Sequence, residues 1–131
     1  MEHARKEGFG MFKGLLQSII ERTEGSLGAL IMGLDGIAVE KVIGEAGNEA
    51  NLDVAAAEFT SLVRSAQRSG TDTGLGKLRE LVVSLDSTII MMRLLGQDYF
   101  VVLALTPEGN LGRGRYELRK AELKLTKEFA L

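Results

Sequence analysis

The sequence predicts a three-layer α+β domain, a five-stranded antiparallel sheet with helices on both faces, in the element order α-β-β-α-β-β-β-α. Three observations carry that prediction. Hydrophobic periodicity alternates along the chain between about 3.6 and about 2 residues, marking amphipathic helices among strand-like runs. Neighbouring strand runs are joined by short turn signals, which only antiparallel pairing accommodates. The central runs are apolar on both faces, and such a sheet needs cover on both sides.

Residues 9–24 form the first helix: Phe9, Phe12, Leu16, Ile19 and Ile20 recur at helical spacing, Lys13, Gln17, Glu21 and Arg22 fall elsewhere, and Gly25 closes the element. Residues 1–8 are expected to be a mobile leader. Residues 27–34 place Leu27, Ala29 and Ile31 on one face and Leu30, Met32 and Leu34 on the other, a strand covered on both sides. Residues 37–43 make a second strand whose Glu40 and Lys41 suit a sheet edge. Between the two, Asp35-Gly36 signals a hairpin of type I′, which needs positive φ at both central positions. The second helix is expected over 53–69, with Asp53 as N-cap, Gly70 as stop, and Ala55, Phe59, Leu62, Val63 and Ala66 as its apolar stripe. After a loop over 70–76, runs 78–85, 88–95 and 99–106 are separated by Asp86-Ser87 and Gly96-Gln97-Asp98 and form a meander. Past Pro107, the only proline, a last helix spans 111–129 with Leu118, Ala121, Leu125 and Phe129 on one stripe.

Length bounds the whole chain, 1–131, to a single domain with its core within 9–129, large enough to bury roughly two-thirds of the surface its unfolded chain exposes. Cysteine is absent, which excludes disulfides, thiolate metal sites and thiol nucleophiles and favours an intracellular address. A net charge of -2 argues against a dedicated nucleic-acid binder, whose affinity needs a surplus of cations facing phosphates. No apolar run reaches the roughly 20 residues of a membrane helix, and the first residues lack a signal-peptide apolar region. The expectation is a soluble cytoplasmic protein without membrane insertion.

The search for chemistry returns structural explanations. Asp35-Gly36 lacks the further carboxylates that a calcium loop needs at fixed offsets, so it is a bend rather than a ligand loop. The stretch SGTDTGLGKL is one residue too long for GxxxxGK, has Leu78 where a phosphate loop carries Ser or Thr, and follows a helix instead of a strand. His3 is the only histidine, so the core can assemble no Ser/His pair. Glu58, Glu80, Asp86 and Asp98 are scattered carboxylates, and nothing in the spacing positions two together as acid and base. The last helix carries Arg113, Arg115, Arg119, Lys120, Lys124 and Lys127 against Glu117, Glu122 and Glu128; a solvated face is the better reading than a phosphate or headgroup site. The second helix is less ordinary. Beside its stripe it shows Ala56, Ala57, Thr60, Ser61, Ser65 and Arg68, many small side chains and few bulky charged ones, which suits either close approach of a partner or an unremarkable surface.

Taken in order, GALIMGLDGIAVEK, DVAAAEFTSLVRSAQRSG, GLGKLRELVVSL, YFVVLALTP and NLGRGRYELRKAELKLTKEF resemble the Roadblock (dynein light chain) domain family over residues 9–129, and among its bacterial members the MglB-like regulators of a Ras-like polarity GTPase. The resemblance implies no catalytic residue, cofactor or metal. It implies a homodimer in which the second helices pack together and the third strands pair, and a small GTPase of the MglA kind as partner, its hydrolysis accelerated by remodelling of its own switch regions. On this chain the elements concerned are residues 53–69 and 78–85. Candidate interface and partner-binding residues are Ala56, Ala57, Thr60, Ser61, Arg64, Arg68, Leu81 and Val83. The alternative is a dimeric adaptor with no effect on GTP turnover.

Overall fold

The computed structural model describes the backbone of residues 2–45, 47 and 49–129 and the side chains of residues 10–45, 47 and 52–128. The chain runs α1 (Glu2–Arg22), β1 (Ser26–Gly33), β2 (Ala38–Ile43), α2 (Glu49–Asp72), β3 (Glu80–Ser84), β4 (Ile89–Leu95), β5 (Tyr99–Leu105) and α3 (Leu111–Phe129), the expected order. The expectations that rested on His3, Phe9, Phe129 and a leader over 1–8 fall on side chains outside the described residues, while the α1 backbone is helical from Glu2.

All strand pairings are antiparallel, in the order β2-β1-β5-β4-β3. The last strand takes the centre, and every residue from Phe100 to Leu105 is buried, the double-sided apolar pattern that a central strand requires. Two edges remain: β2, with Glu40 and Lys41, and β3, with Leu81, Val82 and Val83.

Each face of the sheet has its own core. α1 lies over β1 and β2, α3 over β4 and β5, and the two helices touch. Beneath them Leu16, Ile19, Leu118, Ala121 and Leu125 pack on Ile31, Met91, Val101 and Leu103. On the opposite face α2 stands alone above Leu30, Met32, Met92, Phe100 and Val102. One helix therefore covers what two cover on the other side.

Two local expectations are corrected. The hairpin turn is one residue earlier than a type I′ turn on Asp35-Gly36: the Gly36 amide donates to the Gly33 carbonyl at 2.9 Å, so Leu34 and Asp35 are central, and Gly36 follows at φ 85. A bulge near Ile31 and Met32 absorbs the odd residue. Asp35 Oδ1 accepts the Ile37 amide at 3.0 Å, so the carboxylate stabilises the turn. An added Cβ at Gly36 meets nothing within 4 Å, which leaves backbone strain as the whole cost of a side chain there. Gly36→Val is therefore expected to destabilise the protein by about 1–3 kcal/mol. Thermal melts check this, and a melting temperature unchanged from wild type would show that the turn tolerates the β-branched residue.

The second correction concerns α2. Gly70 does not stop it, since the helix continues to Asp72. Gly70 instead lets the following loop fold back: the Gly76 amide donates to the Gly70 carbonyl at 3.1 Å, and a Cβ on Gly70 would collide with the Gly76 carbonyl oxygen. Asp53 likewise is no cap. It sits inside α2 and pairs with Lys41 of β2 at 2.5 Å.

Candidate functional site

The phase of α2 decides which residues can meet a partner. Leu52, Ala56, Thr60 and Val63 are buried at 7%, 1%, 4% and 0% exposure, a stripe at i, i+4, i+8 and i+11 that faces the sheet. Thr60 is satisfied there, its hydroxyl donating to the Ala56 carbonyl at 2.9 Å beside Met32. Ala56 and Thr60 are thus core residues of the protomer, contrary to their assignment as interface candidates, and Ala56→Arg or Thr60→Arg would disrupt the fold before it tested association.

One flank of α2 is fixed to the β1–β2 side of the sheet. Asp53 pairs with Lys41, and the Arg64 guanidinium donates to the Leu34 carbonyl at the end of β1. The opposite flank therefore points towards β4 and β3. It consists of Ala55, Phe59, Leu62 and Ala66 at i, i+4, i+7 and i+11, and Leu62 is 42% exposed. On the same face, Leu81 and Val83 of β3 are only half buried. A shelf results: an apolar helix flank, a partly covered sheet surface beside it, and the β3 edge, which pairs with β4 alone. Exposed strand edges rich in β-branched residues are sites where another chain adds on.

Of the remaining candidates, Ala57, Ser61 and Arg68 are exposed on the side of α2 away from the sheet, and Arg64 is tied to Leu34. Leu81 and Val83 belong to the shelf. Phe59 and Leu62, the bulky residues of the flank, belong to the apolar stripe that the sequence predicts, yet Phe59 is only partly buried against the core and Leu62 is largely outside it. Leu52 was the signal that could have corrected this, because it lies one residue before the expected helix start and its inclusion rotates the buried stripe.

The other face of β3 is anchored electrostatically. Arg93 of β4, 9% exposed, reaches Glu122 of α3 at 2.8 Å and Glu80 of β3 at 3.6 Å, while Arg115 of α3 meets Glu80 at 2.9 Å. Arg113 and Lys120 both approach the buried Glu117 at 3.2 Å. Arg113 and Arg115 are consequently held within the protomer. No group of three or more His, Asp or Glu residues is arranged to hold a metal among the described residues, and no helix among them is long and apolar enough to cross a membrane.

The structure of MglC from Myxococcus xanthus is 34% identical, covering 88% of this chain and 96% of that one, with a TM-score of 0.67. MglB from Myxococcus xanthus is 15% identical with a TM-score of 0.80, covering 93% of this chain and 90% of that one. A Roadblock/LC7 domain from Streptomyces avermitilis is 19% identical with a TM-score of 0.79, covering 91% of this chain and 98% of that one. None of the curated proteins matches the chain. The sequence pattern of the Roadblock/LC7 domain matches residues 13–104, and the chain belongs to that family.

Proposed function

We propose that the protein is a homodimeric, non-catalytic regulator of a Ras-like small GTPase, its two copies joined through the α2 flank and the β3 edge. The observation that supports the assembly is the shelf made by Phe59 and Leu62 beside Leu81 and Val83. A second copy, turned by a two-fold axis, offers the same helix flank and the same unpaired strand, so each copy covers the other's apolar surface and pairs its edge. Membership of the Roadblock/LC7 family supports a small GTPase as the partner.

Regulation by remodelling the GTPase suits the arginines better than insertion of a finger does. Arg64, Arg113 and Arg115 each have a partner in their own protomer, and Arg68 projects from a regular helix. Single-turnover GTP hydrolysis by the partner is therefore expected to change by less than about tenfold in Arg68→Ala, whereas loss of a true finger costs on the order of 10³-fold or more.

The second reading is an adaptor without effect on turnover, since the likeness to Myxococcus xanthus MglB, at 15% identity, carries the fold alone and not an effect on hydrolysis. A pull-down from native lysate, followed by hydrolysis assays on the recovered GTPase, separates the two. Binding with acceleration supports the regulator, and binding without it supports the adaptor.

A further inference from the structure

The face opposite the shelf carries a feature that the dimer does not use. α1 and α3 diverge enough to leave a groove of about 340 Å³ between them. Its apolar lining includes Met11 and Leu15, both half buried, and Gly14 leaves room above them, since an added Cβ there meets nothing within 4 Å. The charged lining is lopsided. Arg22 of α1 and Lys120 and Lys124 of α3 line it, against one carboxylate among the described residues, that of Glu117, which is 1% exposed and already flanked by Arg113 and Lys120. Arg22 and Lys124 have no ion pair among the described residues.

We propose that this groove docks an acidic amphipathic helix of a partner protein. Its apolar side chains enter over Met11 and Gly14, and its carboxylates meet Arg22, Lys120 and Lys124. Lys120 and Lys124 lie one helical turn apart, about 6 Å, so a partner helix matches them with Asp or Glu also spaced four apart. Charge complementarity and concavity select this occupant together. An anionic bilayer is a broad surface and would touch the rim without filling the slot, whereas a helix fills it and satisfies the rim cations. The inference does not depend on the GTPase reading, because the groove lies on the other side of the sheet from α2.

The test uses the full-length protein and a synthetic 18-residue helical peptide with Glu pairs at i and i+4 and Leu on the opposite face. A matched peptide with Gln for Glu and vesicles of phosphatidylserine and phosphatidylcholine serve as comparisons. Amide chemical shifts should move at Gly14, Ser18 and Lys124 on adding the acidic peptide, and binding should weaken as salt rises. Arg22→Glu with Lys124→Glu should lower affinity by at least about tenfold. Gly14→Leu, which fills the groove and improves helix propensity, should abolish binding while leaving the fold intact. Equal binding of the Gln peptide, binding to vesicles in place of the peptide, or no shifts at these residues would overturn the proposal.

Discussion

Leu62→Asp is expected to leave the protein monomeric at micromolar concentration while the protomer stays folded. Leu62 is 42% exposed within one copy, so a polar side chain is tolerated there when no partner is present. In the proposed dimer the same position meets the partner's flank, and a carboxylate would be buried against apolar surface with nothing to pair with. The cost of such a change at an interface centre is about 2 kcal/mol or more, and two-fold symmetry repeats it, giving about 4 kcal/mol in total. That corresponds to on the order of 10³-fold in the dimer dissociation constant. Lys13→Ala, an exposed change on α1, should leave association unchanged. Sedimentation equilibrium of the two variants beside wild type gives the answer directly, and a Leu62→Asp dimer as tight as wild type would remove the α2 flank from the interface.

Arg93→Ala should be strongly destabilising on the other face of the sheet. The guanidinium lies between Glu122 and Glu80, with side-chain exposures of 11%, 27% and 20%, and Arg115 depends on the same Glu80. Truncation leaves Glu122 without its cation and Glu80 with Arg115 alone in a half-buried site. Breaking buried pairs costs about 3–5 kcal/mol, and because the carboxylates keep some water the lower end, about 3 kcal/mol, is expected. Arg93→Met, which retains packing, should cost less than the alanine variant only if packing contributes alongside charge. Urea titration at one fixed protein concentration is the appropriate measurement, since the proposed dimerisation would make apparent stability concentration-dependent. A midpoint within experimental error of wild type for Arg93→Ala would show that the network contributes nothing to stability.

The fold was legible because its signals are local. Double-sided apolar runs such as GALIM and FVVLAL can only be covered strands, and the Asp-Gly and Gly-Gln-Asp turns leave no room for parallel crossovers. Strand order was not legible, because placing β5 at the centre between β1 and β4 depends on contacts far apart in sequence. The phase of α2 was misread for an identifiable reason. Thr60 is polar yet buried beside Met32, while Leu62 is apolar yet half exposed, and each inverts the rule that hydrophobicity marks the inner face. Such an inversion is what the proposed interface requires of α2, whose outward apolar residues would then be covered by the second copy. Arg93 was missed because a lone cation within IIMMRLL gives no hint of the acids that fold beneath it from β3 and α3.

The claim that the protein is a GTPase-binding dimer is tested most directly by titration calorimetry with the Ras-like GTPase recovered from lysate, loaded in turn with GDP and with a non-hydrolysable GTP analogue. Saturable binding to wild type in at least one nucleotide state, lost in monomeric Leu62→Asp, is the predicted result. Absence of binding to wild type in both nucleotide states would contradict it.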